Sequence, residues 1–192
     1  GVSSGLLGKK ESWTDYSLAS VSFGHEIAVT PLQMVAALSA IANGGILMEP
    51  HITKALMRDG KIIEQIKPKK IRRVISQKTS RKMMEILKSV VKNGTGKKAA
   101  VEGFDVAGKT GTAQKYIAET RSYSKTEFIS SFIGYAPADA PRLVILVMID
   151  NPKGIHWGGV VAAPVFREIA KKSLRYLNVP SSKERVFILD RA

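Results

Sequence analysis

The stretch Val101–Gln114 reads Val-Glu-Gly-Phe-Asp-Val-Ala-Gly-Lys-Thr-Gly-Thr-Ala-Gln and carries two motifs in overlapping registers. From Gly103 to Thr110 it spells G-x-x-x-x-G-K-T, the pattern of a P-loop that cradles phosphate with backbone amides. That reading needs a buried strand before Gly103, a glycine-rich turn, and a helix opening at Lys109. The neighbours argue against all of these. Asn93–Ala100 is polar and turn-rich, and Phe104-Asp105-Val106-Ala107 alternates like a strand. Thr110-Gly111-Thr112 is a poor first helical turn, because Gly and β-branched residues disfavour helix. The apolar run Leu143–Ile149 before Asp150 imitates the metal-binding strand that accompanies P-loops, but runs of this kind are common.

In the other register, Lys109-Thr110-Gly111-Thr112 lies on a β-strand. Phe104, Val106 and Gly108 share one face, and Asp105, Ala107 and Lys109 share the other. Gly111 lets a second backbone approach closely. A peptide can then add along this edge through main-chain hydrogen bonds. Lys109 supplies a fixed positive charge, the hydroxyls of Thr110 and Thr112 suit a terminal carboxylate, and a strand amide suits an oxyanion.

The chain's 192 residues suffice for a real core, and its 44% hydrophobic content is that of a globular protein. No apolar run reaches the length of a membrane span, and the first residues show no signal-peptide pattern. With no cysteine there is neither disulfide framework nor thiolate chemistry. His25, His51 and His156 lack the spacing of a metal site, so no metal and no cofactor is expected. The net charge of +14 suits an anionic partner such as an acidic wall polymer, or solvated basic faces. Its densest cluster, Lys67–Arg73, has no interleaved aromatics for base stacking, so nucleic acid is not the expected partner.

Along the chain, residues 1–20 read as irregular, with Trp13 as a packing anchor, and Ser22–His25 as a turn or short extended piece. Thr30-Pro31-Leu32-Gln33 predicts a capped helix ended by Asn43-Gly44-Gly45. Ile52–Arg58 and Lys61–Ile66 flank Asp59-Gly60, a hairpin signal placing a surface β-hairpin at about 50–68. Ser76 caps a second helix to about Lys92. Residues 115–126 read as a polar loop and Phe128–Ala136 as a strand. Arg142–Ile149 is almost wholly apolar, which predicts a central strand buried on both faces. Gly158-Gly159 leads into a last helix, in which Val161, Val165, Ile169 and Phe166, Ala170, Leu174 recur at helical spacing. Pro180–Lys183 opens a linker or tail covering 180–192.

This order of elements resembles the C-terminal part of a penicillin-binding transpeptidase domain of the class B type. The stretches that carry the likeness are Ser22-Phe23-Gly24, Val29–Gln33, Gly94-Thr95-Gly96, Val106–Gln114, Ser131–Pro137, Gly158-Gly159 and Ala162–Phe166. The resemblance implies an α+β fold of the β-lactamase/transpeptidase kind, an antiparallel sheet flanked by helices, with residues 1–179 as part of that domain. It implies a parent D,D-transpeptidase in peptidoglycan synthesis, acting through a serine acyl-enzyme on stem peptides ending in D-Ala-D-Ala and acylated by β-lactams. Lys109 would serve the electrostatic and proton network. Thr110 and Thr112 would bind the carboxylate, Gly111 would give clearance, and the Thr112 amide would form half of the oxyanion hole. The expected location is the bacterial cytoplasmic membrane, with the domain on the periplasmic or extracytoplasmic side and other cell-wall synthesis proteins as partners. A β-lactam sensor or β-lactamase-like hydrolase of the same fold is the nearest alternative.

The family pattern also requires S-x-x-K, which sets a base one helical turn from the nucleophile, and S-x-N. No S-x-N occurs here. S-x-x-K occurs at Ser89–Lys92, near a helix end, and at Ser122–Lys125, after the K-T-G box, neither of which is the family's position. The chain is therefore expected to be a fragment that carries one wall of an active site and no nucleophile. Its missing N-terminal partner would supply the other two boxes, the first sheet strands and the membrane anchor.

Overall fold

The computed structural model describes residues 3–117, 119–120 and 122–182. In chain order these form β1 (Leu6–Leu7), α1 (Ser17–Ser22), β2 (Ile27–Ala28), α2 (Pro31–Ala42), β3 (Ile46–Met48), β4 (Ala55–Arg58), β5 (Lys61–Gln65) and β6 (Lys70–Arg73). They continue with α3 (Gln77–Lys92), β7 (Ala107–Ile117), β8 (Ser122–Ala136), β9 (Leu143–Asp150), α4 (Gly158–Val161) and α5 (Ala163–Tyr176). The architecture is α+β, and its main sheet is antiparallel in the order β7-β8-β9.

Local chemistry sets the helix ends. Thr30 Oγ1 accepts from Gln33 N (3.2 Å) while Gln33 Oε1 accepts from Thr30 N (2.8 Å), so the capping box that opens α2 is complete. Ser76 Oγ accepts from Thr79 N and opens α3. Asp59 and Gly60, at φ 49° and 72°, form the positive-φ turn joining β4 to β5. The Lys67–Arg73 cluster contains β6, which is exposed along its length and pairs antiparallel with β3. Within it Lys69 pairs with Glu49 at 2.7 Å, and Arg73 Nη1 donates to Gly44 O at 2.6 Å.

Several expectations need correction. Residues 1–20 include β1, which pairs with β2 further on, and the start of α1, and Ser22 ends that helix. Residues 115–117 and 122–126 are strand, not loop. β7 and β8 continue as a ribbon past a register shift at Gln114/Tyr116, with Tyr116 opposite Tyr123. Polarity there reflects a ribbon wetted on both faces. Among the described residues β9 is an edge strand, and β8 is the central one. β9 is nevertheless apolar from Leu143 to Ile149 because α2 packs on one of its faces and α5 on the other. Covering both faces demands the same residues whether or not the edge is paired.

The core has two layers, one on each side of the sheet. Phe166, Ala170 and Leu174 of α5 pack with Ala162, Ala163, Phe132, Val147 and Val106. Leu38 of α2 and Leu87 of α3 pack with Ala107, Ile133 and Tyr135 on the opposite face. Of the two apolar stripes expected on α5, only the Phe166 stripe is buried; Val165 and Ile169 stay 42% and 41% exposed. Tyr135 is fully buried, and its hydroxyl has no hydrogen-bond partner among the described residues. Burial pushes that phenol up to about 12.

Phe166→Ala should lower the unfolding free energy by about 3–5 kcal/mol, and Ile169→Ala by about 1 kcal/mol or less, measured by urea denaturation. Tyr135 also fixes a pH effect. Its folded pKa lies above the usual 10.0, so the unfolded chain ionises first and stability falls as pH rises from about 10 to about 12. Lys69, Lys88 and Lys115, raised by their carboxylate partners, lose their contributions in the same direction as pH climbs through their folded values. Replacing Tyr135 by Phe isolates the phenol. It should make the alkaline fall shallower, by about 3 kcal/mol at most, without lowering stability at pH 7.

Candidate active site

β7 carries the Lys109–Thr112 tract on an edge of the sheet. It pairs with β8 on one side, and among the described residues no strand pairs with the other. Lys109 therefore begins no helix, and Gly103, at φ 81°, sits in a turn outside the strand, so the phosphate-loop register is lost. The tract alternates as its sequence requires. Lys109 and Gly111 share a row with Ala107, on the side covered by α2 and α3. Thr110 and Thr112 share the opposite row, facing the start of α4.

Each of the tract's side chains is held by a named partner. Lys109 is exposed and its Nζ donates to Thr110 O at 2.9 Å. Among the described residues no carboxylate forms an ion pair with it. Thr110 Oγ1 lies 2.8 Å from Thr95 Oγ1. Thr112 Oγ1 accepts from Gly158 N at 3.1 Å. Further along β7, Lys115 pairs with Asp150 at the end of β9 (3.0 Å).

The glycines explain how α4 comes so near. A Cβ at Gly158 would overlap the carbonyl oxygens of Gly111 and Ser131, and one at Gly159 would overlap Thr95 O. The space at Gly111 itself is filled from within: a Cβ there would lie 2.5 Å from Ser131 Oγ, on the neighbouring strand. The backbone that approaches the tract is thus that of Gly158. Ser130 Oγ donates to His156 O and fixes the loop that delivers it.

Two aromatic groups lie along the β7–β8 ribbon beyond the tract. The rings of Phe128 and His156 stack at 3.9 Å and 7°, with Trp157 4.9 Å from His156. Phe23, His25, Tyr123 and Tyr116 form a chain of ring contacts that ties the end of α1 to the tip of the β7–β8 ribbon. The pairing of β7 with β8 sets Tyr116 opposite Tyr123, and tertiary packing brings His25 to Tyr123 and His156 to Phe128. Beside them Glu26 adopts φ 58°, and hydrogen bonds from Ser20 and Ser17 hold its carboxyl below the usual range. The two S-x-x-K matches lie elsewhere: Ser89 is exposed on α3, and Ser122 Oγ is bonded to Thr120 Oγ1 (2.8 Å) at the ribbon tip.

The chain matches the family described as the penicillin binding protein transpeptidase domain over residues 1–171. It is 43% identical over 189 residues to stage V sporulation protein D of Bacillus subtilis, covering 97% of this chain and 29% of that protein. It is 40% identical to penicillin-binding protein PbpB of Mycolicibacterium smegmatis, covering 96% of this chain and 30% of the relative. Among solved structures, penicillin-binding protein 3 of Mycobacterium tuberculosis complexed with aztreonam superposes with a TM-score of 0.83 at 37% identity, over 94% of this chain and 42% of that one. The apo transpeptidase domain of Burkholderia pseudomallei penicillin-binding protein 3 gives 0.79 at 38% identity, over 95% of this chain and 53% of that one. The chain belongs to the penicillin-binding protein transpeptidase domain family, and it spans about a third of the curated relatives' length.

Gly158→Ala should force α4 away from β7 and break the bond to Thr112. We expect a loss of about 1–3 kcal/mol in stability, with amide chemical-shift changes concentrated at Gly111, Thr112 and Ser131.

Proposed function

We propose that this chain is the C-terminal wall of a serine D,D-transpeptidase that cross-links peptidoglycan stem peptides and is acylated by β-lactams. The observation that supports it most directly is an open strand edge bearing a lysine in no ion pair among the described residues, with two threonine hydroxyls held in place beside it. Relatives named as probable peptidoglycan D,D-transpeptidases, such as that of Neisseria flavescens at 36% identity, support the same reading.

In this reading a stem peptide lies antiparallel along the free edge of β7. Thr110 and Thr112 bind its terminal carboxylate, and Lys109 stabilises negative charge and takes part in proton transfer. The Thr112 amide gives half of the oxyanion hole, and Gly111 keeps the strand slim. The nucleophilic serine and its base come from residues outside these 192. Residues 1–179 act as one part of the domain and 180–192 as a linker, of which 183–192 lie outside the described residues. Ser182 N donates to Gly103 O at 2.8 Å. The protein acts on the outer side of the cytoplasmic membrane, beside other wall-synthesis proteins.

The test is covalent labelling with a fluorescent penicillin. The polypeptide that contains this chain should be labelled and should release the drug slowly, and Lys109→Ala should slow acylation about 100-fold or more. Fast release would favour a hydrolase. The 192-residue chain alone should remain unlabelled, and an adduct at Ser89 or Ser122 would overturn the assignment.

A further inference from the structure

We propose that Thr95 is a positioning residue that sets Thr110 to recognise a carboxylate; this rests on the reading of Thr110 and Thr112 as carboxylate ligands. Thr95 lies in the turn between α3 and the short helical turn Lys97–Ala99. That turn is firmly seated. Gly94 N and Gly96 N both donate to Val90 O, at 3.1 and 3.0 Å. A Cβ on Gly96 would press on Phe132 and on Val90 at 3.2–3.3 Å. Thr95 is therefore carried on a base fixed to the last turn of α3 and to the sheet.

From that base its hydroxyl reaches Thr110 Oγ1 at 2.8 Å. The other branch of Thr110, its Cγ2, lies 3.3 Å from where a Cβ on Gly159 would sit, so both branches of a stiff β-branched side chain have a neighbour. A threonine hydroxyl has a single proton to give. At Thr112 an N–H, which can only donate, fills an acceptor position on Oγ1, leaving the Thr112 proton for a ligand. At Thr110 the partner is a second hydroxyl. A carboxylate accepts only, so bound there it makes Thr110 the donor and Thr95 the donor to Thr110. The resulting series, Thr95 O–H to Thr110 O–H to carboxylate, strengthens each bond in it. An amide whose NH2 faces Thr110 would require the series to run backwards, with Thr110 accepting from the NH2 and donating to Thr95, while the amide carbonyl takes the Thr112 proton.

Two probes distinguish these cases: the peptide diacetyl-L-Lys-D-Ala-D-Ala and its C-terminal amide, each titrated into the 192-residue chain while the Thr110 and Thr112 amide resonances are followed. The wild type should prefer the carboxylate. Thr95→Val, a near-isosteric change at an exposed position, should weaken carboxylate binding about five- to tenfold and leave the amide within about twofold. Thr95→Ala, which also lacks the donor, should match it, and Thr95→Ser should restore the wild-type preference. Unchanged carboxylate affinity in Thr95→Val and Thr95→Ala, an equal loss for both peptides, or no rescue by serine would overturn the role of Thr95 alone. A wild-type chain that binds both peptides equally, or neither, would remove the carboxylate reading itself, and Thr95's role with it.

Discussion

The contact on which the site depends is backbone against backbone: the first residues of α4 lie directly on β7 and its neighbour. Gly158 and Gly159 occupy positions where any side chain would overlap carbonyl oxygens of Gly111, Ser131 or Thr95. That closeness lets a main-chain N–H reach the Thr112 hydroxyl. It also brings Thr95, Thr110 and Gly159 within van der Waals reach of one another. Three segments distant in sequence are thus locked at one point, and among the described residues no strand pairs with the outer edge of β7.

Much of this was legible in the sequence because it rests on local chemistry. The capping signals at Thr30 and Ser76 placed two helices, since a cap is a hydrogen bond between residues three apart. Lys109-Thr110-Gly111-Thr112 could be assigned to a strand because glycine and β-branched residues make a poor helix start. What was missed depended on pairing partners. Nothing in Leu143–Asp150 itself says whether a strand lies on one side or both. Nothing in Lys115–Lys125 distinguishes a wetted ribbon from a loop until Tyr116 is seen opposite Tyr123. Of α5's two stripes, only the Phe166–Leu174 stripe proved buried; Val165 and Ile169 have the same spacing and hydrophobicity but stay exposed.

The candidate site shows the same division. Its lysine and threonines were read directly from a short string of residues. Their holders, Thr95 and Gly158, sit some fifteen to nearly fifty positions away and became visible only in the packed structure. Gly111 was expected to make room for an incoming backbone. It makes room for Ser131 Oγ, while the adjacent carbonyl receives Gly158. The crowding at this glycine comes from the protein's own chain.

The outer edge of β9 bears on how the molecule behaves in solution. From Leu143 to Ile149 the strand contains no charge and no proline, the usual devices that keep an open edge from recruiting other strands. Whatever lies along that edge is coupled to the folded state, so the population of folded molecules will vary with the concentration of anything able to cover it, another copy of the chain included. A melting temperature measured for these 192 residues therefore depends on how far that edge is covered. Comparing it with that of a longer relative has meaning only when the occupancy of this edge is the same in both.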